Sequence, residues 1–138
     1  MIDLLDTSAV LAQLRNERGA QQVQALFSGE RATLLLCSVT LAELARRLRD
    51  LGATPDEAWE TIDGYRQLVD GVVSVDAAVC RDSDRIQIAA SSRLPLVDAL
   101  IASAARSRGA ILVHRDAHMR SIPTGQVQLL DLETFDSP

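Results

Sequence analysis

Short apolar runs separated by stretches of helical periodicity constrain this chain more than any other feature of its sequence. Ile2 to Leu5, Thr33 to Cys37, Val72 to Val75, Ile111 to His114 and Val127 to Leu130 are short, apolar and well spaced, and they read as five strands. Between them Leu41, Leu44, Ala45, Leu48 and Leu51 fall at helical spacing, as do Val97, Leu100, Ile101 and Ala104. Ser8 to Asn16, Ala20 to Phe27, Pro55 to Val69 and Ala77 to Ala90 complete the helical set. Pro55 behind Thr54 reads as an N1 proline after a cap, and Gly52 and Gly109 stand where helices should stop. Strands alternating with helices bury a parallel sheet between helical layers. The expected fold is therefore α/β, with three layers and a central, mainly parallel five-stranded sheet flanked by helices.

A chain of 138 residues suits one domain, expected to span residues 1–138. At this length folding buries roughly two-thirds of the surface the unfolded chain exposes, so neither a disulfide nor a structural metal is needed. Cys37 and Cys80 lie far apart, each among apolar neighbours, and read as buried free thiols. No apolar stretch approaches the roughly 18 residues of a membrane span. Met1-Ile2-Asp3 opens without a basic stretch or a cleavage site, so a soluble, cytoplasmic protein is expected. Asp136 to Pro138 are expected to fray.

All 14 basic side chains are Arg. The absence of Lys excludes P-loop phosphate binding and Schiff-base chemistry, both of which need its amine. It also counts against phosphotransfer sites that pair an acidic cluster with Lys. A net charge of -5 runs against the basic surface that phosphate contacts favour, so any nucleic-acid chemistry needs a local explanation.

That explanation comes from four acids. Asp6 follows the first strand and precedes a helix, and in open α/β sheets ligands bind beyond the carboxyl ends of the strands. Asp6 or Thr7 can equally serve as a helix cap. Thr40 to Glu43 matches a T-x-x-E capping box, and Glu43 with Arg47 forms a favourably oriented i,i+4 pair, so Glu43 has structural explanations as well as a place in a first turn. Asp98 lies in Pro95-Leu96-Val97-Asp98-Ala99-Leu100-Ile101-Ala102, and its neighbours at three and four residues include no cation. An unpaired buried carboxylate costs several kcal/mol unless something compensates it, and a bound metal would. Asp116 ends the apolar run from Ile111 and can cap the short Ala117 to Ile122 segment. Together the four carboxylates should gather at one edge of a parallel sheet, where divalent cations with oxygen shells resolve their repulsion.

In these residues the chain resembles the PIN-domain family, and specifically the VapC-type toxins of bacterial toxin–antitoxin pairs. The matching pieces are Leu5-Asp6-Thr7-Ser8-Ala9, Ser38-Val39-Thr40-Leu41-Ala42-Glu43-Leu44, Asp98-Ala99-Leu100-Ile101-Ala102 and Leu112-Val113-His114-Arg115-Asp116, in an order that covers essentially the whole chain. The resemblance implies a PIN-like fold and a metal-dependent endoribonuclease, commonly a homodimer neutralised by a cognate antitoxin. It implies that Asp6, Glu43, Asp98 and Asp116 hold one or two Mg²⁺ or Mn²⁺ ions, with Ser8 either orienting Asp6 or a metal-bound water or serving simply as a helix-start residue. The chain departs from the family around Asp116. His114 stands where Thr or Ser often precedes the Arg-Asp pair, and His118 stands where a further Asp often follows, either as a substitute ligand or as a surface His.

If metals neutralise the four carboxylates, the formal charge falls from -5 to -1, and bound cations dominate the local field. RNA contacts would then come from local Arg groups, with Arg46, Arg47, Arg49, Arg93 and Arg115 as candidates or as members of solvated faces. With one Trp, one Tyr and two Phe, stacking on aromatics is not the expected mode of recognition. A DNA-directed nuclease and a non-catalytic module that docks a partner's Arg in the acidic pocket are the competing readings.

Overall fold

The computed structural model describes residues 1–29 and 33–134. Asp136 to Pro138, expected to fray, lie outside the described residues. The chain forms β1 (Ile2–Leu5), α1 (Thr7–Leu14), α2 (Ala20–Ser28), β2 (Thr33–Cys37), α3 (Ser38–Asp50), α4 (Pro55–Leu68), β3 (Gly71–Val73), α5 (Ala77–Ala89), α6 (Leu96–Ser107), β4 (Ile111–His114) and β5 (Leu129–Asp131). Short 3-10 turns cover Ala117–Ser121 and Leu132–Thr134.

The five strands lie in the order β3-β2-β1-β4-β5, every neighbouring pair parallel. Side chains alternate across this sheet because successive strand residues point to opposite faces. Leu4, Leu35, Cys37 and Leu112 meet Ile86 of α5 and Ala99, Ile101, Ala102, Ala104 and Ala105 of α6 on one face. Leu5, Leu34, Leu36 and Val113 meet Val10 of α1, Leu44 and Leu48 of α3 and Ile62 and Tyr65 of α4 on the other. A sheet covered on both faces needs nearly continuous apolar strands, which explains the unbroken Leu34-Leu35-Leu36-Cys37 run.

The helix signals held. Thr54 caps α4 and closes a reciprocal capping box with Glu57, and Gly52 and Gly109 take left-handed conformations just past α3 and α6. Two strands are displaced from the expected ranges. β3 begins at Gly71 and stops at Val73, and β5 covers Leu129–Asp131 rather than Val127 to Leu130. Their limits follow the parallel register with β2 and β4, where Leu35 pairs Gly71 and His114 pairs Asp131, not local apolarity. Cys37 is a buried free thiol, but Cys80 is exposed, contrary to expectation. The buried stripe of α5 runs Val79, Ser83, Ile86, and Cys80 sits one helical step off that stripe.

Gly19 joins α1 to α2 at φ +92°, and a Cβ there would lie 2.7 Å from the Cβ of fully buried Leu132. Gly19→Ala combines a left-handed backbone cost of about 1–2 kcal/mol with overpacking of about 1–3 kcal/mol. The variant should lose about 2–5 kcal/mol, read as a lowered urea midpoint with an unchanged m-value. An unshifted midpoint would show that Gly19 is neither left-handed nor packed against Leu132.

Candidate functional site

Strand order reverses at β1, since β2 and β3 lie on one side of it and β4 and β5 on the other. A crevice opens beyond the carboxyl ends at such a switch point. β1 delivers Asp6 and β4 delivers Asp116 to this crevice, and the Asp6 N–H donates to Val113 O at 2.9 Å, prolonging the β1–β4 ladder to its rim. Glu43 comes from α3, which follows β2, and Asp98 from the first turn of α6. All four line one cavity of about 390 Å³, together with Ser8 and Arg115.

Each acid is held differently. Asp6 is 2% exposed and caps α1, its Oδ2 accepting from the Ser8 N–H at 3.3 Å and the Ser8 hydroxyl. The cap uses only one carboxylate oxygen. Oδ1 is buried and has no hydrogen-bond partner among the described residues. The Ser8 hydroxyl also accepts from the Arg115 N–H at 2.9 Å, tying the start of α1 to the end of β4.

Glu43 is not in the capping box that Thr40 suggested. α3 begins at Ser38, with Cys37 at its N-cap, so Thr40 already lies inside the helix. Nor is an ion pair between Glu43 and Arg47 present among the described residues. Instead the Thr7 hydroxyl donates to Glu43 Oε1 at 2.6 Å. The Thr7 and Thr40 oxygens are 3.2 Å apart. With the Thr7 proton spent on Glu43, Thr40 is the donor in that contact.

Among the described residues Asp98 has no Arg partner, as its surroundings in the sequence implied. Its nearest cation-forming group is His118, whose Nδ1 stands 3.7 Å from Asp98 Oδ2 and 3.1 Å from Asp116 Oδ1. Asp116 caps the following turn, accepting from the His118 N–H at 2.9 Å, while its own N–H donates to His114 Nδ1 at 3.2 Å. His114 is fully buried, and burial lowers its pKa, keeping the imidazole a neutral acceptor.

Crowding shows in the proton affinities. Burial raises the Asp98 carboxyl to about 8, and the nearby Asp116, Asp6 and Glu43 charges add to the shift. Burial raises Asp6 to about 6, opposed by the Ser8 hydroxyl and reinforced by Asp116 and Glu43. Like charges with no local cation favour protonated carboxyls, and a divalent cation would reverse that preference. The fit of a cation therefore rests on three features: an all-oxygen acid set, a buried Asp6 oxygen without a hydrogen-bond partner among the described residues, and the raised proton affinity of Asp98 and Asp6 beside like charges. Asp98, Asp116 and His118 also place one ligand atom each within 4.8 Å of one another.

The cavity wall includes residues the sequence had not singled out as functional. Thr7 was read only as a cap, yet it orients Glu43. Glu17 and Glu133 line the cavity and hold Arg115, with Arg115 Nε 2.5 Å from Glu133 Oε1 and Nη1 3.4 Å from Glu17 Oε2. Arg15 also lines it, 3.6 Å from Glu17. No sequence signal marks Glu17 or Glu133, because they reach Arg115 only through the fold. Of the Arg candidates, Arg47 and Arg115 line the cavity, and Arg46, Arg49 and Arg93 do not.

No helix among the described residues is long and apolar enough to cross a membrane. No curated protein matches the chain significantly. In structure it is similar to a VapBC2 complex of Rickettsia felis bound to a DNA fragment from their promoter, with TM-score 0.73, 20% identity and coverage of 95% of this chain and 98% of the other. It is similar to FitAcB from Neisseria gonorrhoeae at TM-score 0.77 and 21% identity, covering 98% and 100% of the two chains. A VapBC-5 toxin–antitoxin structure from Mycobacterium tuberculosis aligns at TM-score 0.67 and 24% identity, covering 94% and 98%. Such identities establish a common fold. The PIN domain family model matches residues 4–124, from the strand that delivers Asp6 to beyond the turn that carries His118, and the chain belongs to the PIN-domain family.

Proposed function

We propose that this protein is a metal-dependent endoribonuclease, the toxin of a toxin–antitoxin pair, that hydrolyses RNA phosphodiester bonds with water as the nucleophile. One observation carries the reading: Asp6 Oδ1 is buried without a partner among the described residues, and Asp6 lines a cavity with Glu43, Asp98 and Asp116. A buried oxygen without a donor costs about 1–3 kcal/mol, and a cation in the cavity would remove that cost.

Asp6, Glu43, Asp98 and Asp116 would hold Mg²⁺ or Mn²⁺. Such an ion, when bound, lowers the pKa of a water and stabilises charge on a phosphate. Ser8 fixes the Asp6 rotamer through the hydroxyl it donates, and Thr7 does the same for Glu43. Arg47 lines the cavity without an ion pair among the described residues and is free to meet a phosphate. Arg115, already held by Glu133 and Glu17, instead stiffens the cavity wall. The protein would act in the cytoplasm as a homodimer, silenced by a cognate antitoxin. The toxin–antitoxin complexes among its structural neighbours support that partner.

The test is cleavage of total RNA, single-stranded DNA and duplex DNA by the purified protein, titrated with Mg²⁺ or Mn²⁺ and quenched with chelator. RNA cleavage that requires the ion is the expected result. Cleavage of DNA alone would replace the substrate. No cleavage, with chelator-insensitive binding of a partner protein, would replace the enzyme with a docking module.

A further inference from the structure

Two acids that line the cavity, Asp98 and Asp116, also face a side chain of different chemistry. His118 sits in the 3-10 turn Ala117–Ser121, and that turn is firmly held. The His118 N–H donates to Asp116 Oδ1 at 2.9 Å, its carbonyl accepts from the Ser121 hydroxyl at 2.7 Å, and neighbouring Met119 is fully buried. The backbone thus aims the imidazole at two carboxylates from different elements, Asp116 after β4 and Asp98 on α6.

The spacing suits a shared ion. Bonds of about 2.0–2.1 Å in an octahedron place adjacent ligand atoms about 3 Å apart and opposite ones about 4 Å apart. His118 Nδ1 lies 3.1 Å from Asp116 Oδ1 and 3.7 Å from Asp98 Oδ2, inside that range. Independently, Asp6, which lines one cavity with Asp98 and Asp116, has a buried Oδ1 with no partner among the described residues. Ordinary pairing of an imidazolium with two carboxylates would account for His118 but would leave the Asp6 oxygen unexplained.

We propose that His118 Nδ1 is a direct ligand of the cation in this cavity, and that it shifts the site's preference from Mg²⁺ toward first-row transition ions, Mn²⁺ and Zn²⁺ among them. Mg²⁺ is small and hard, keeps its waters and takes oxygen ligands, whereas imidazole suits the transition ions. One neutral nitrogen in place of an oxygen anion also weakens the attraction for a hard ion. The inference rests on the reading that the cavity holds a divalent cation, and adds to it a fifth ligand and an ion preference.

The experiment uses the full chain, with Mn²⁺ alone and Mg²⁺ alone as probes. Pulsed electron paramagnetic resonance of the Mn²⁺-loaded protein should show coupling to a directly bound ¹⁴N, absent in His118→Gln and His118→Asp. Calorimetric affinities for the two ions should show the Mn²⁺ over Mg²⁺ ratio falling at least about tenfold in His118→Asp, the lower end of what losing even an outlying metal-site partner costs. Because the side chain is 57% exposed, both variants should keep the wild-type circular dichroism spectrum. Asp98→Asn separates the cation site from the His118 ligand. If Mn²⁺ binds, is lost in Asp98→Asn, and shows no nitrogen coupling and an unchanged ratio in His118→Asp, the His118 ligand falls while the cation site stands. If wild type binds neither ion, both fall.

Discussion

Asp98→Asn should lower metal-dependent RNA cleavage by at least about 10²–10³-fold, on the scale of the several kcal/mol a catalytic cation contributes. In chelator the same variant should melt higher than wild type. The two effects share one cause. Asp98 is surrounded by Asp116, Asp6 and Glu43, and burial with this repulsion raises its pKa from 3.8 to about 8. In the unfolded chain the carboxyl ionises near its ordinary value. Between about pH 4 and pH 8 the folded state therefore binds a proton the unfolded state has released, and stability falls as pH rises through that window. Above it, the metal-free fold carries the full repulsion. Asn keeps the shape and removes the charge, which should return about 1–2 kcal/mol at pH 8, or about 3–8 °C in Tm. Thermal melts at pH 8 in chelator, beside RNA cleavage with Mn²⁺, check both halves. A variant that lost activity and also melted lower would make Asp98 a structural residue.

The affinity for the cation should depend steeply on pH, in a direction the same carboxyls dictate. A proton on Asp98 must leave before that carboxylate can ligate, so affinity falls as pH drops below about 8. From pH 8 to pH 6 the Mn²⁺ Kd should weaken by about tenfold per unit, with about one proton released per ion bound. Asp6, raised to about 6, joins below that value and should steepen the dependence further. Calorimetry in two buffers of different ionisation enthalpy counts the protons directly. Zero proton release at pH 7 would mean that the ion binds away from Asp98. The same linkage predicts that Mn²⁺ at a hundred times its Kd stabilises the fold by about 2.7 kcal/mol, an effect that fades in acid.

Much of this could be read before any coordinates. Five apolar runs and the helical stretches between them specified a sheet covered on both faces, because backbone periodicity is local information. The positions of Asp6 and Asp116 just past apolar runs placed them beyond strand ends, where a parallel sheet opens its crevice. Glu43 was harder. Thr40 offered a capping box, but α3 starts at Ser38, and that shift places Thr40 inside the helix and leaves Glu43 to a hydroxyl 36 residues away in sequence. Cys80 failed for a related reason: Ala77, Ala78 and Val79 before it are apolar, yet a single helical step separates it from the buried stripe of α5.

The sequence by itself determined the layers, the strands and the presence of four acids at the edge of a parallel sheet, since chain periodicity and turn chemistry act over a few residues. Only the tertiary structure decided how those acids are held. Whether Asp6 keeps a free oxygen, which hydroxyl meets Glu43, that Glu17 and Glu133 clamp Arg115, and that His118 stands between Asp98 and Asp116 all depend on register across β1 and β4 and on the packing of α1, α3 and α6. Charge and hydrogen bonding act across a few ångströms of space, and in this fold those ångströms join residues up to 115 positions apart, as Arg18 and Glu133 are.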